Sequence, residues 1–419
     1  MKETTTKSVT LLIIVAALGY FVDIYDLVLF NIVKKESLEA LGYTGKIMEM
    51  HGITLFNWQM TGMLVGGILW GIIGDKKGRV TILFGSILLY SLANIGNAFV
   101  TDIKGYSILR FLAGLGLAGE LGAGITLVSE TMSKEKRGIG TMIIATVGTL
   151  GAVVAFLVGQ KGHIINDLLG LNYQNWQIAY LIGGSLGLIL LFMRAGAFES
   201  GMFKEALNNS GIKKGNLMLI FKSGKNIKKY LYSIAIGLPI WCVIGILISL
   251  ANQFGEATLV TTPVTVAKAI FYAYIGLSLG DFVSGTLSQI FRSRKKVILG
   301  YLLFLLSLVL VFLYLKNQSQ VYFYIMCFLI GFGSGYWALF VTNAAEQFGT
   351  NIRSTVANTV PNFVRGAVVP ITLFYKALLP SMAIINSALI VSLVCFGLAI
   401  LSTILMEETF GKDLDYLEA

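Results

Sequence analysis

Charged residues are scarce in this chain. They make up 13% of its 419 residues, against 56% hydrophobic residues, and the mean hydropathy is +0.77. Soluble domains contain about 25% charged residues. A water-soluble fold has no interior large enough for so much apolar side chain, whereas a lipid bilayer solvates it. The composition therefore predicts a membrane protein.

Residues that support catalysis or metal binding are also few. The three cysteines, Cys242, Cys327 and Cys395, lie in apolar stretches, which is typical of small packing residues and not of a disulfide or metal framework. The sequence has no G-x-x-x-x-G-K-S/T nucleotide loop and shows no nucleophile–base pairing. We expect no enzymatic activity, no cofactor, no metal site and no transport driven by ATP.

Long apolar runs are what the chain has in abundance. A membrane span needs about 20 mostly apolar residues, and such runs occur near 8–32, 51–74, 80–101, 106–130, 138–160, 177–197, 229–251, 266–291, 296–316, 320–346, 354–377 and 381–406. The first run is long and no small-residue cleavage site follows it, so we expect a retained helix and not a signal peptide.

This spacing predicts an all-α polytopic membrane protein with twelve transmembrane helices in two bundles. We expect an N-terminal six-helix bundle over residues 1–197 and a cytoplasmic linker over 198–228, whose lysines lie beside the anionic leaflet. A C-terminal six-helix bundle with a short cytoplasmic tail is expected over residues 229–419.

The basic residues predict the orientation. The net charge is +10, which in a soluble protein would suggest nucleic-acid binding. With both termini on the cytoplasmic side, however, the cytoplasmic segments hold an excess of Lys and Arg of roughly three to one. This bias explains the basic charge without nucleic acid and predicts a cell (plasma or inner) membrane protein with both termini in the cytoplasm.

The two halves of the sequence resemble each other. The stretch 111–116 (FLAGLG) parallels 328–333 (FLIGFG) at an offset of 217, and the pair Glu130 and Arg137 parallels Glu346 and Arg353 at an offset of 216. Chance recurrence of Gly-x-Gly would not place the Glu-x₆-Arg pairs at nearly the same offset. Two repeated halves with a site between them are the architecture of rocking transporters.

The stretch 71–79 (GIIGDKKGR) resembles the loop motif G-x-x-x-D-R/K-x-G-R/K of the major facilitator superfamily. Within it, 23–27 (DIYDL) and 110–122 (RFLAGLGLAGELG) resemble the metabolite–proton symporters and the sugar porters, as does Glu199-Ser200 without the usual proline. The resemblance implies the major facilitator fold and alternating access. Gln289 stands where the repeated loop commonly has Asp, which argues against a second inner-gate salt bridge.

Ionisable groups inside spans are costly and are therefore functional candidates. For proton coupling these are Asp23, Asp26, Arg110 and Glu120. Asp26 and Arg110 both fall in the outer half of the membrane. Asp23 is one turn deeper than Asp26 on the same helix face. The resemblance implies that Asp26 and Arg110 take part in proton coupling. The alternative is a purely structural ion pair. Glu120 lies near the midplane, where burial favours its protonated form, or where a neighbouring hydroxyl could satisfy it.

The main substrate-binding candidate is Arg365, near the middle of span 11. No acid lies within one turn of it, and Pro361 and Pro370 should break the helix around it. An unpaired guanidinium facing a cavity would bind a carboxylate or phosphate. The alternative is a partner acid on another span, Asp281 being the obvious one. The further substrate-binding candidates are Asn358, Asn362, Tyr336, Trp337, Asn343, Asn252, Gln253 and Asp281.

A third set of charges lies at the cytoplasmic ends of the spans. The resemblance implies that they form an inner gate that breaks and reforms in each cycle, so we expect them to be reachable by solvent. The alternative is loop anchoring by positive charge. The set comprises Asp75, Arg79, Glu130, Arg137, Glu346 and Arg353.

The leading hypothesis is a secondary active transporter that couples proton entry to symport of a small polar metabolite, with an organic anion or zwitterion favoured by Arg365. The alternatives are a sugar or amino-acid uniporter, a drug or metabolite exporter, and a transporter-like membrane sensor. The expected partners are a small-molecule substrate, protons and the lipid bilayer, without nucleic acid, and we expect a monomer.

Overall fold

The structure is a computed structural model and describes residues 6–168, 170–193 and 218–418. These residues form helices and connecting turns, with no strand among them. The predicted linker 198–228 lies outside the described residues up to position 217, as does Glu199. Its last part forms a short helix, Met218–Lys222.

The first half contains six helical rods, which we number α1 to α6. They are α1 (Thr6–Ala40), α2 (Gly45–Lys77), α3 (Arg79–Asn97), α4 (Ile103–Leu117 and Glu120–Thr131), α5 (Arg137–Thr149 and Gly151–Leu168) and α6 (Asn175–Met193).

The second half repeats this order as α7 to α12. They are α7 (Gly224–Cys242 with a π-helical continuation, Val243–Ile248), α8 (Val266–Ile290), α9 (Arg294–Tyr314), α10 (Gln320–Ser334 and Trp337–Glu346), α11 (Arg353–Gly366 and Val368–Leu378) and α12 (Ile384–Leu405). A short helix, Ala251–Ala257, follows α7. The prediction of twelve helices in two bundles is confirmed.

Ten of the described helices are long and apolar enough to cross a membrane by themselves. The exceptions among the twelve rods are α2 and α11. The first segment of α11 carries a run of buried polar residues, including Asn358, Asn362 and Arg365, and α2 buries Gln59 and Asp75. Both helices depend on protein neighbours that accept these polar groups.

Four rods are interrupted near their centres: α4, α5, α10 and α11. The break in α11 falls at Ala367, between Pro361 and Pro370, as expected from the prolines. The break in α4 leaves the Ala118 carbonyl without a helical partner, and Nδ2 of Asn362 in α11 donates to it (2.9 Å). Side chains from other helices thus satisfy the backbone groups that the breaks release.

The halves meet most extensively where α2 packs on α11 and where α5 packs on α8. At Gly71 a Cβ atom would lie 2.8 Å from the Cα of Thr355, so the α2–α11 approach depends on the missing side chain. These contacts belong to the halves of the rods near loops 76–79, 133–136 and 292–296. We call this end of the molecule the basic face.

Candidate transport site and gate

A charge cluster closes the basic face, and Asp75 is its first member. This carboxylate, at the end of α2, accepts hydrogen bonds from the backbone N–H of Ser354 (3.1 Å), the backbone N–H of Thr355 (2.8 Å) and the Thr355 hydroxyl (2.6 Å). These groups form the first turn of α11. An anion from one half therefore caps a helix of the other, where the helix dipole favours negative charge.

Glu130, at the end of α4, holds one arginine from each half. Its Oε1 accepts from Nη2 of Arg79 (2.9 Å) and from Nη1 of Arg353 (3.0 Å). Arg79 also lies 3.5 Å from Asp75. All four side chains are buried, and in such surroundings a charge pair is held strongly because its separation leaves unpaired charges.

The internal repeat places a matching cluster around Glu346. Its Oε1 accepts from Nε of Arg137 in the first half (2.7 Å) and from Nη2 of Arg294 in the second (3.4 Å). The acid of this cluster is Glu346, the counterpart of Glu130, whereas Gln289 stands at the position equivalent to Asp75 and supplies no charge. Arg294 was not among the predicted gate residues, although its place in the repeated basic turn, opposite Arg79, could have shown it.

Residues 406–418, which we call the strap, cover both clusters. Nη2 of Arg137 donates to the Lys412 carbonyl (2.9 Å) and Nη2 of Arg353 donates to the Leu414 carbonyl. Asp413 pairs with Lys134 of the first half (2.6 Å). The gate side chains are consequently buried, contrary to the expectation that solvent reaches them, because the strap excludes water in this state.

Glu408 anchors the strap to the turn between α8 and α9. It accepts from the Ser293 hydroxyl and from the backbone N–H of Arg294 (2.9 Å) and of Lys295 (3.2 Å). Burial opposes ionisation of this carboxyl, but the hydrogen bonds outweigh it and hold the pKa of Glu408 below its usual value. The anchor is therefore ionised at neutral pH.

A cavity lies between the two halves, deeper than the gate. Both halves contribute to its wall, which is aromatic and aliphatic apart from a threonine hydroxyl and one guanidinium. It is lined by Tyr20 and Ile24 of α1, Thr149 of α5, Ile240, Trp241 and Ile244 of α7, Tyr274 and Leu277 of α8, Trp337 of α10 and Arg365 of α11.

Arg365 is the charged group of this cavity. Its Nη2 lies 3.7 Å from Oδ2 of Asp23, its Nη1 donates to Oδ1 of Asn362 (3.3 Å), and its guanidinium carbon is 5.5 Å from the centre of the Trp337 ring. Nε and Nη2 of Arg365 and both oxygens of Asp23 make no hydrogen bond in the described part of the chain. Arg365 thus has a partner acid on another span, but the partner is Asp23 and not the Asp281 considered from the sequence.

Asp281 has a different position. Its Oδ1 accepts from the backbone N–H of Ala338 (3.0 Å), where the second segment of α10 begins, so it caps that segment from α8. Tyr336, at the same break, donates its hydroxyl to the Ile236 carbonyl (2.9 Å). Neither residue lines the cavity, whereas Trp337 does. Both serve to hold the interrupted helix.

Three other substrate-binding candidates lie away from the cavity. Asn343 accepts from Gln347 (3.2 Å) and from Thr409 of the strap (3.3 Å), so it belongs to the basic face. Asn252 and Gln253 are exposed on the short helix after α7. Sequence position along a span gave their approximate depth but could not give the direction of the side chains.

Asn358 and Asn362 lie between α11 and the first half. Nδ2 of Asn358 donates to the Ser354 carbonyl (2.8 Å), and its Oδ1 would contact a Cβ atom placed on Gly122. Asn362 bonds both the Ala118 carbonyl and Arg365. Asn362 therefore positions Arg365, while Asn358 is a packing contact to α4.

Asp26 and Arg110 lie inside the first bundle and form no salt bridge within 4.0 Å in the described structure. The guanidinium carbon of Arg110 is instead 4.8 Å from the ring centre of Phe30 and 5.8 Å from that of Tyr180. The two groups still interact electrostatically. Asp23 and Asp26 were expected on one face of α1, but the first is paired with α11 and the second faces Arg110 of α4.

Glu120 accepts a hydrogen bond from the Ser86 hydroxyl of α3 (2.6 Å). The contact matches the alternative to a proton-carrying role, in which a neighbouring hydroxyl satisfies the carboxyl. The carboxyl begins the second segment of α4, where its charge also suits the start of a helix. Its role in coupling stays a prediction.

Comparison with known proteins identifies the family. Residues 16–368 match the family model described as Major Facilitator Superfamily. The chain belongs to the major facilitator superfamily. It is therefore a multi-pass membrane transporter and not an enzyme, as the composition and the missing catalytic motifs predicted.

Several members of the major facilitator superfamily are similar along most of the chain. The niacin transporter NiaP of Acinetobacter baylyi is 26% identical over 84% of each chain, and the cis,cis-muconate transport protein of the same species is 24% identical over 86% of each. A solved proton:xylose symporter, XylE, superposes with a TM-score of 0.78 over 98% of each chain at 16% identity, which shows a shared fold.

Most of the cavity wall was not predicted from the sequence. Tyr20, Trp241 and Tyr274 line the cavity, yet aromatic residues in apolar spans usually indicate packing. One signal was present for Tyr20, because it lies three residues before Asp23 and therefore on the same face of α1. No signal in the sequence distinguished Trp241 or Tyr274 from packing residues.

Proposed function

We propose that this protein is a proton-coupled symporter for a small organic anion with a flat, apolar body. The proposal rests on one observation above all: Arg365, whose Nη2 lies 3.7 Å from Asp23, lines a cavity with aromatic walls. Nε and Nη2 of the guanidinium make no hydrogen bond to the described residues, and two such donors fit the two oxygens of a carboxylate.

The cavity wall suits the rest of such a substrate. Two tyrosines and two tryptophans, Tyr20, Tyr274, Trp241 and Trp337, face the space beside Arg365. Aromatic side chains pack well against a flat ring or a conjugated chain. Relatives of the chain are named as transporters of niacin, cis,cis-muconate and 3-(3-hydroxy-phenyl)propionate, and these names support a carboxylate substrate here.

The same contact provides a coupling mechanism. When a substrate carboxylate binds Arg365, it competes with Asp23 for the guanidinium. A buried carboxylate that loses its counter-charge is costly, so Asp23 takes a proton from water onto one oxygen. Release of the substrate restores the Arg365–Asp23 contact and expels the proton. Substrate and proton therefore move together.

The Arg365–Asp23 contact also joins the two halves, since Asp23 is on α1 and Arg365 on α11. Its formation and loss would change how the halves pack around the cavity. We infer that the basic face is cytoplasmic and that the Glu130 and Glu346 clusters close it in this state. Opening toward the cytoplasm requires Arg353 and Arg137 to leave these glutamates.

Transport assays on purified protein in liposomes test this function. We expect uptake of nicotinate, cis,cis-muconate or 3-(3-hydroxyphenyl)propionate to accelerate when the outside of the liposomes is made acidic. The transported anion should then accumulate inside against its own concentration gradient. Uptake that ignores the proton gradient would contradict symport. Failure of all three anions, with uptake of a neutral sugar, would contradict the assignment of substrate class.

A further inference from the structure

Three buried hydroxyl groups form a chain inside the first bundle. Oγ of Ser37 lies 3.2 Å from the Tyr106 hydroxyl, which lies 2.8 Å from the Tyr180 hydroxyl. The residues belong to α1, α4 and α6, and all three side chains are fully buried. Each oxygen of the chain is thus within hydrogen-bond distance of the next.

The chain begins near the face opposite the basic face. Ser37 lies in the last turn of α1, and its neighbours Lys35 and Glu36 are exposed. Tyr106 and Tyr180 lie in the first two turns of α4 and α6, which start at the same end. Asp26 lies eleven residues before Ser37 along α1, which is about 16 Å of helix rise.

The inner end of the chain lies beside the Arg110 site. The guanidinium carbon of Arg110 lies 5.8 Å from the centre of the Tyr180 ring. Tyr106, Tyr180 and Arg110 all interact electrostatically with Asp26. Asp26 also interacts electrostatically with Asp23 and Tyr25 of its own helix and with the side chain of Asn94 in α3.

Several buried polar atoms at this site make no hydrogen bond to any residue that the structure describes. They are both oxygens of Asp26, all three nitrogens of the Arg110 guanidinium and Nδ2 of Asn94 in α3. Buried polar groups that lack a hydrogen bond from the protein are the groups that internal water molecules bind.

We propose that Ser37, Tyr106 and Tyr180 carry protons between the face opposite the basic face and Asp26, by a path inside the first bundle that is separate from the substrate cavity. The inference rests on the proposed symport and takes Asp26, the coupling candidate beside Arg110, as a second proton-binding carboxyl in addition to Asp23. It adds the route by which protons reach Asp26. Water is the proton source.

Each step of the relay conserves protons. A hydroxyl oxygen accepts a proton on one lone pair and releases its own proton to the next oxygen. Bound water beside Arg110 completes the path to an Asp26 oxygen. One proton moves inward overall, and each hydroxyl must then turn before the next transfer.

The variants Tyr106→Phe and Tyr180→Phe remove one hydroxyl each and keep the rings. Tyr25→Phe is the matched control, because its buried hydroxyl donates to the Ala179 carbonyl (2.8 Å) and takes no part in the chain. The readout is the infrared band of a protonated carboxyl after a rapid drop in pH, with Asp26→Asn identifying the band of Asp26.

We expect protonation of Asp26 to slow by about tenfold or more in both relay variants, with the final amplitude unchanged and the control like the parent. An unchanged rate in Tyr106→Phe and Tyr180→Phe would overturn the relay alone. An equal slowing in Tyr25→Phe would show a general loss of packing and would also overturn it. If the parent shows no band that Asp26→Asn removes, Asp26 is not a proton site, and the coupling role proposed for it falls as well.

Discussion

Oε1 of Glu130 lies 3.0 Å from Nη1 of Arg353, so an acid of the first half pairs with a base of the second. Glu346 of the second half pairs with Arg137 of the first. The two contacts are equivalent under the internal repeat. Each half contributes one glutamate and one arginine to the closure of the basic face. Closure therefore depends on both halves equally.

We predict that Glu130→Gln with Glu346→Gln opens the basic face. Loss of one partner from a buried charge pair costs about 3–5 kcal/mol, which is enough to shift a two-state equilibrium strongly. Met142 of α5 packs against Thr286 of α8, which belongs to the other half. A Met142→Cys reporter, with the native cysteines replaced, should react with a membrane-impermeant maleimide faster in the double variant.

The matched control for this gate variant is Glu135→Gln. It removes the same charge from the turn before α5, where Glu135 is exposed. Its reporter should react like that of the parent. Equal reactivity of parent and double variant would show that the clusters do not close the gate.

Arg365→Ala should abolish uptake of the carboxylate substrate, and its affinity should fall at least about 30-fold, which corresponds to about 2 kcal/mol for a truncated buried charge. Arg365→Lys should recover part of the affinity, because a lysine keeps the charge but lacks the planar pair of donors. Lys376→Ala, an exposed cation on the same helix, is the control. Normal uptake by Arg365→Ala would remove the anion-binding proposal.

Asp26→Asn should retain exchange of substrate across the membrane but lose uphill accumulation. The amide cannot carry a proton, while its shape still fits beside Arg110. Counterflow of labelled nicotinate, or of whichever anion the parent transports, measures exchange, and uptake under an imposed proton gradient measures accumulation. Asp167→Asn, at an exposed carboxyl near the end of α5, should behave like the parent. Full accumulation by Asp26→Asn would contradict its coupling role.

Acid should release the strap. The pKa of Glu408 lies below its usual value for the reasons given above, and a hydrogen bond and salt bridge from Lys134 lower the pKa of Asp413. Because both values are lowered on docking, the stabilisation is complete above the ordinary carboxyl range and is lost as pH falls through the lowered values, below about pH 4.

A nitroxide label on Asp415→Cys, an exposed site in the strap, would report this release as an increase in mobility. Glu408→Gln should give the mobile spectrum already at neutral pH, because the amide lacks the charge that the donors of the α8–α9 turn stabilise. A strap that stays immobile in Glu408→Gln would assign its docking to other contacts, such as the buried Leu414.

The elements that the sequence predicted best are those with a one-dimensional signal. Apolar length gave the twelve helices, and the repeat gave the equivalence of Glu130 with Glu346 and of Arg137 with Arg353. The helix bounds differ from the predicted spans, as in α1, which continues to Ala40 beyond the predicted end at 32. The helix continues through the polar residues that follow the apolar run.

The direction of side chains could not be read in the same way. Asp26 lies three positions after Asp23, a spacing that brings both to nearly the same face of α1, yet the neighbouring helices decide which partner each one meets. Asp281 and Asn343 are buried polar residues in spans, like Arg365, but they serve a helix end and the strap. Only the packing of several helices distinguishes such positions from a binding site.

The polarity of α11 has a consequence for how the protein is made. An arginine at the centre of a span disfavours insertion by about 2.5–3.5 kcal/mol, and this segment adds Asn358 and Asn362 to Arg365. Its acceptors, the Ala118 carbonyl and the Asp23 carboxylate, are on helices synthesised much earlier. Stable insertion of α11 into the bilayer therefore requires that the first half has already folded. A defect in α1 or α4 would then prevent insertion of a helix more than two hundred residues further along the chain.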